Sequence, residues 1–149
     1  MTEVNMSAKE NGSAGTTFLV APTADRERMD KLGLGGAALA GDRLFAGAMA
    51  IDLTTLSRVA DARSVADETR ICFDSVRATL ERAGGTLRDI AKMTCYVSAQ
   101  EYIAETWRTL EEIFAPGPCP KRITLVAGLA GDCRVEFEVM AVTPREDGR

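Results

Sequence analysis

From Gly35 onward the chain alternates between two hydrophobic periods. Ala37-Ala38-Leu39 and Leu44-Phe45-Ala46-Gly47-Ala48 are apolar runs separated by Ala40-Gly41-Asp42-Arg43, whose Gly-Asp pair suits a tight turn, so the spacing predicts a β-hairpin. Ile51 to Arg63 is polar and reads as a loop or a short irregular strand. Ser64 with Asp67 three residues on predicts a capping box, after which Val65, Thr69, Cys72, Phe73, Val76, Leu80 and Ala83 share one helical face. Gly84-Gly85 closes that helix. Ile90 to Val97 reads as a strand. Ser98 and Glu101 repeat the capping pattern, and Tyr102, Ile103, Trp107, Leu110, Ile113 and Phe114 trace a second apolar stripe that Pro116 ends. Ile123 to Ala127 and Arg134 to Val142 are the last two strands, and in the second Val135, Phe137 and Val139 alternate with Arg134, Glu136 and Glu138. The order strand, strand, helix, strand, helix, strand, strand predicts an α+β domain with two helices on one face of a sheet. The other face reads apolar at Ala37, Leu39, Phe45, Leu125 and Val139, so it needs a cover.

The N-terminal part is weaker in signal. Residues 1–17 are rich in Ser, Gly, Asn, Thr and charge and read as a disordered tail, leaving residues 18–149 as one domain. Phe18-Leu19-Val20 has the composition of a short strand, and Ala24 to Leu32 that of two helical turns. With 149 residues and 46% apolar content the chain fits a single domain.

Charge and composition then exclude whole classes. A net charge of -4, with the 18 basic residues scattered, gives no footprint for a nucleic-acid backbone. No apolar run approaches the roughly 18 residues of a membrane span, and no secretory leader is recognisable, so a cytoplasmic location is expected. Histidine is absent, which removes Ser-His and Cys-His nucleophiles and the commonest zinc ligand. Proton transfer falls to a carboxylate, thiol, lysine, tyrosine or water. Cys72, Cys95, Cys119 and Cys133 form no CxxC pair and read as reduced thiols, the first two in the core and the last two at loop edges.

Gly41 to Gly47, Leu80-Glu81-Arg82-Ala83-Gly84, Asp89 to Val97, Ile113-Phe114 before a proline-rich turn, Pro120-Lys121-Arg122 and Val135-Glu136-Phe137-Glu138 occur in an order and spacing that resemble the RidA/YjgF family over about residues 35–144. The resemblance implies a chorismate-mutase-like fold with a mixed sheet, assembled as a homotrimer around a central barrel with ligand clefts between subunits. It also implies a hydrolase acting on C–N bonds, an enamine/imine deaminase that converts 2-aminoacrylate or bulkier unsaturated acids to ketoacids and ammonia without metal or cofactor.

Within that frame Arg122 matches the arginine that grips the substrate carboxylate, and Glu136 the glutamate that positions water. Taken alone, Arg122 would read as a solvated arginine at a strand start, and Glu136 with Glu138 as the wet side of a sheet. Other positions depart from the family. Ala46, Gly47 and Ala48 stand where a Ser-Gly-Gln run is usual, Thr124 where cysteine is frequent, and Trp107 at an asparagine position. Trp107 is therefore either core or interface packing, or a residue that narrows a cleft with Ala46, Gly47, Arg122 and Thr124 on its walls. The segment between Arg122 and Glu136 is one residue shorter than usual, and no cleft-lining tyrosine segment is recognisable in 18–34. Two readings follow: a cofactor-free deaminase on a small-molecule carboxylate, or a trimeric binding protein that keeps the cleft without turnover. Ribonuclease activity fits poorly with an acidic chain lacking histidine.

Overall fold

The computed structural model describes residues 10–11, 15–20 and 25–144. Strands β1 (Glu10–Asn11), β2 (Thr16–Leu19), β3 (Ala37–Ala40), β4 (Arg43–Ala48), β7 (Ile90–Val97), β8 (Lys121–Val126) and β9 (Val135–Val142) build one seven-stranded sheet in the order β1-β2-β3-β4-β9-β7-β8. Between β4 and β7 lies a separate small hairpin, β5 (Ile51–Asp52) and β6 (Ser57–Arg58), where the sequence reads as a polar loop. Every neighbouring pair in the large sheet is antiparallel except β7 and β8, which run parallel because helix α3 (Ile103–Phe114) crosses over between them.

The β3–β4 hairpin turns where the Gly-Asp pair predicts, with Gly41 at φ 64, a left-handed conformation glycine adopts without a Cβ penalty. Of the segment expected to be a tail, Glu10–Asn11 and Thr16-Thr17 are strand. β2 reaches back to Thr16 because Thr16 to Leu19 ladder against Ala40 to Ala37, and that pairing outweighs the weak local composition. The two turns expected in 24–32 form helix α1 (Arg26–Lys31), capped by the Asp25 carboxylate, which accepts from Arg28 N.

Helix α2 (Val65–Arg82) starts on the predicted capping box: Asp67 N donates to Ser64 Oγ at 3.0 Å and Ser64 N to the Asp67 carboxylate at 3.1 Å. It ends at Ala83, and Gly84 at φ 76 turns the chain away. Val65, Thr69, Cys72, Phe73, Val76 and Leu80 are buried on the sheet, with Glu68 among them. At the core, Phe73 meets Phe114 and Phe137 edge-on at 5.6 and 4.9 Å, tying α2, α3 and β9 together. Phe73→Ala would cost about 3–5 kcal/mol there.

The start of α3 differs from expectation. Ser98 does not cap it: the chain passes through a 3₁₀ turn at Gln100–Tyr102 before Ile103, and the Ser98 N–H that a capping box would give to Glu101 donates to Arg134 O. The buried stripe of α3 is Thr106, Thr109, Leu110 and Phe114, and Trp107 lies outside it, 42% exposed. The two threonines are buried at low cost because their hydroxyls donate to Tyr102 O and Glu105 O one turn back. The uncovered side of the sheet also differs. Leu39 pairs with buried Leu44, Ala37 packs on the core, and Val139 is 2% exposed, so these three face the helices. Phe45 and Leu125 remain on the open face, joined by Ile123.

Candidate functional site

Parallel pairing sets the geometry. The register aligns Ala46, Val139, Met93 and Arg122 in one row across β4, β9, β7 and β8, and Ala48, Phe137, Cys95 and Thr124 in the next. Both rows face the helices, since Met93, Cys95, Phe137 and Val139 are buried there. β8 is the edge strand and lies at the margin of the helical layer, so Arg122 and Thr124 are half-buried rather than sealed.

Trp107 of α3 closes this margin. Its indole N–H donates to Thr124 Oγ1 at 2.9 Å, and the Arg122 guanidinium carbon stands 5.0 Å from its ring centroid. A cation over an indole is held by the ring quadrupole, worth about 0.5–2 kcal/mol depending on exposure. The Arg122 Nη1 is buried and has no hydrogen-bond acceptor among the described residues. A sealed, unpaired donor costs about 1–3 kcal/mol, so the guanidinium is chemically incomplete. Cys95 lies beneath: burial pushes its thiol up to about 11, against the downward pull of the Thr124 hydroxyl and then of the Arg122 charge. It stays protonated near neutral pH and is no nucleophile.

The other expected site residues lie elsewhere. Ala46 is buried under the helices in the Arg122 row, three strand spacings or about 14 Å away. Gly47 faces the opposite, open side, in a row with Glu138, Thr94 and Ile123. Glu136 is on that side too, aligned with Tyr96 and Leu125. Its carboxyl is held above the ordinary glutamate range, first by burial and second by the neighbouring Glu138 charge. A shallow hollow on the same face is lined by Phe45, Lys92, Thr94, Glu138, Val139 and Met140. Within one chain, then, Arg122, Trp107 and Thr124 come together, while Ala46, Gly47 and Glu136 do not join them.

The sequence gives no hint of a second arginine centre. Glu68, fully buried in α2, accepts from Arg134 N and Arg134 Nε at 2.7 Å each and from Val135 N at 3.3 Å, and Arg134 Nη2 donates to Ala62 O at 2.8 Å. This lock fixes the start of β9, two residues before Glu136. Cys133 beside it is buried, not a loop-edge thiol, and its Sγ lies 3.9 Å from Ala50 O. Burial, and then the Glu68 charge, push that thiol up to about 11. All four cysteines are free. Among the described residues no group of His, Cys, Asp or Glu could hold a metal ion, and no helix is long and apolar enough to cross a membrane.

Comparison with known proteins agrees with this architecture. The family model described as endoribonuclease L-PSP matches residues 38–143. A RutC family protein of Pyrococcus horikoshii is 33% identical over 104 residues, covering 68% of this chain and 80% of the relative. Two solved structures share the fold: YyfA, a Rid family protein from Yersinia pestis, with TM-score 0.65 at 24% identity over 73% of this chain and 86% of that one, and RidA from an Antarctic Psychrobacter, with TM-score 0.63 at 22% identity over 72% and 86%. The match runs from β3 through β9, the same span that carries the Arg122 cluster and Glu136, and it makes this chain a member of the RidA/YjgF family.

Proposed function

We propose that the protein is a cofactor-free deaminase that hydrolyses enamine or imine acids to the corresponding ketoacids. The observation that carries this is the Arg122 guanidinium, fixed over Trp107 with a buried N–H that lacks an acceptor. Arg122 as a whole is only half-buried, and a small turn of the guanidinium plane brings that N–H to a substrate carboxylate, which supplies the missing acceptor and the opposite charge. The enamine takes a proton at its terminal carbon to become the imine. Water held by Glu136 then adds to the carbon of the protonated C=N and gives a proton to the carboxylate. Glu136 passes that proton to nitrogen. As the C–N bond breaks, the hydroxyl proton goes back to Glu136 and on to solvent, replacing the one the enamine took up, and the products are ketoacid and ammonia. A raised affinity of Glu136 for protons suits a group that must both take and give one.

Because Arg122 and Glu136 face opposite sides of the sheet, one chain cannot present both to a small acid. We assign the pair to different copies, the edge strand β8 of one meeting the open face of the next. The exposed Phe45, Ile123 and Leu125 give that contact its apolar area, and a closed homotrimer satisfies it three times. Subunit mixing tests this. Arg122→Ala and Glu136→Gln are each expected to lose about 10²–10⁴-fold in turnover of an imine generated in situ. Equal mixing into random trimers should restore about a quarter of parental activity, because one site in four then carries both intact residues. Mixed trimers as inactive as their parents would refute the shared site.

Binding without turnover is the second reading. It is favoured by the separation of Arg122 from Glu136, which face opposite sides of the sheet within one chain. Parental protein that binds ketoacids yet never speeds their release from imines would establish it over the first.

A further inference from the structure

Trp107 does more than its place in the fold requires. A tryptophan outside the buried stripe of a helix contributes little to the core, and this one is 42% exposed. Even so it is held at two points, through its N–H on Thr124 and through its ring under Arg122. Both anchors come from β8, so the indole is oriented by the strand that carries the unpaired guanidinium. Arg122 makes no ion pair with any described carboxylate, which leaves the indole as its main neighbour. The rest of the ring stays open beside it. A carboxylate that pairs with a guanidinium lies in line with its N–H donors, and the exposed indole beside Arg122 offers an apolar surface to whatever is attached to that carboxylate.

We infer that Trp107 is the specificity-determining residue of the site: it forms an aromatic wall beside Arg122 that selects 2-imino acids with an aryl or branched aliphatic side chain over the small 2-aminoacrylate. The inference rests on the reading that Arg122 takes the carboxylate. An apolar side chain laid on the indole buries surface that water would otherwise cover, and an aryl group gains the offset or edge-on contact that aromatic pairs prefer. A bare methylene reaches little of the ring. The Thr124 hydrogen bond keeps the indole from rotating away when no ligand is present, so the wall is formed in advance.

Calorimetric titration with three ketoacid products, pyruvate, 4-methyl-2-oxopentanoate and phenylpyruvate, tests the assignment on the parent protein and on Trp107→Ala, Trp107→Phe and Arg122→Ala. The parent should bind phenylpyruvate about tenfold more tightly than pyruvate, with 4-methyl-2-oxopentanoate between them. In Trp107→Ala the ratio should collapse toward one, even if all three acids weaken because Arg122 has lost its support. Trp107→Phe keeps the aromatic wall and should retain most of the ratio, and circular dichroism checks that each variant is folded. Trp107 is the chain's one tryptophan, so 4-methyl-2-oxopentanoate should also shift the parent's intrinsic emission. A parent that binds the three acids equally, or a ratio that survives in Trp107→Ala, overturns the inference and leaves the carboxylate role of Arg122 intact. Equal binding by Arg122→Ala and the parent overturns both.

Discussion

Two arginines sit at the two helix–sheet junctions of this molecule in opposite chemical states. Arg134, where α2 meets β9, spends its guanidinium on Glu68 and Ala62 O, and its own N–H also goes to Glu68. Arg122, where α3 meets β8, stacks on an indole and leaves a buried N–H without an acceptor. Both are half-buried and carry the same charge, so composition and burial cannot tell them apart. The difference lies in what completes each. Arg134 is completed from within the chain, and removing its partner is a loss to the fold. Arg122 is left incomplete by the described residues, the state in which the proposed substrate carboxylate would meet it.

The sharpest way to break this contrast is at its closed end. Glu68→Ala strands Arg134 and two backbone N–H groups in a buried setting and should destabilise the protein by about 3–5 kcal/mol in chemical denaturation. A loss below 1 kcal/mol would mean that the lock is structural decoration. At the open end, Arg122→Ala should leave stability within about 1 kcal/mol of the parent, since it removes an unsatisfied donor as well as a stacking contact. Small ketoacids should bind that variant more weakly by about 2–4 kcal/mol in calorimetry. A variant that unfolds but still binds would reverse the two assignments.

A smaller effect sharpens the picture on the far face. Glu138 raises the Glu136 carboxyl by like-charge repulsion, the second cause after burial. In the proposed role of base Glu136 works ionised, so turnover should fall as pH drops through its raised value. Glu138→Gln removes the repulsion, favours the ionised form and should move that acid limb to lower pH in a rate profile. A limb that stays in place would detach Glu136 from the rate.

The elements with strong local signals were legible in the sequence. The capping box at Ser64, the α2 stripe and the alternation of Val135, Phe137 and Val139 need only short-range pattern. What failed depended on distant partners. The Ser98 and Glu101 pattern loses its reciprocal bond because Ser98 N pairs with Arg134 O, and the helix starts later, at Ile103. Glu68 belongs on the α2 core face only because an arginine 66 positions away neutralises it. The buried stripe of α3 runs through threonines whose hydroxyls are satisfied within the helix, so a count of apolar residues assigns Trp107 to the wrong side. For the candidate site, Arg122, Thr124 and Trp107 are legible as neighbours once the crossover is drawn, since β8 follows α3 directly. Ala46, Gly47 and Glu136 are not, because strand parity decides which face each takes.

The parallel pair also sets how far apart in the chain the residues around Arg122 lie. Trp107, Cys95, Arg122 and Thr124 all belong to the single β7–α3–β8 crossover, and the Trp107–Thr124 bond closes a loop of only 17 residues, against 66 for Glu68 and Arg134. Loop closure of the first kind costs less entropy, by about 1 kcal/mol, so the crossover brings Trp107 to Thr124 more readily than the fold brings Glu68 to Arg134. Replacements at Trp107 or Thr124 should therefore leave in place the Phe73, Phe114 and Phe137 contacts that hold the sheet to its helices. The Arg122 surroundings are thus set by short-range chain connectivity, and the Glu68 lock by contact between distant segments.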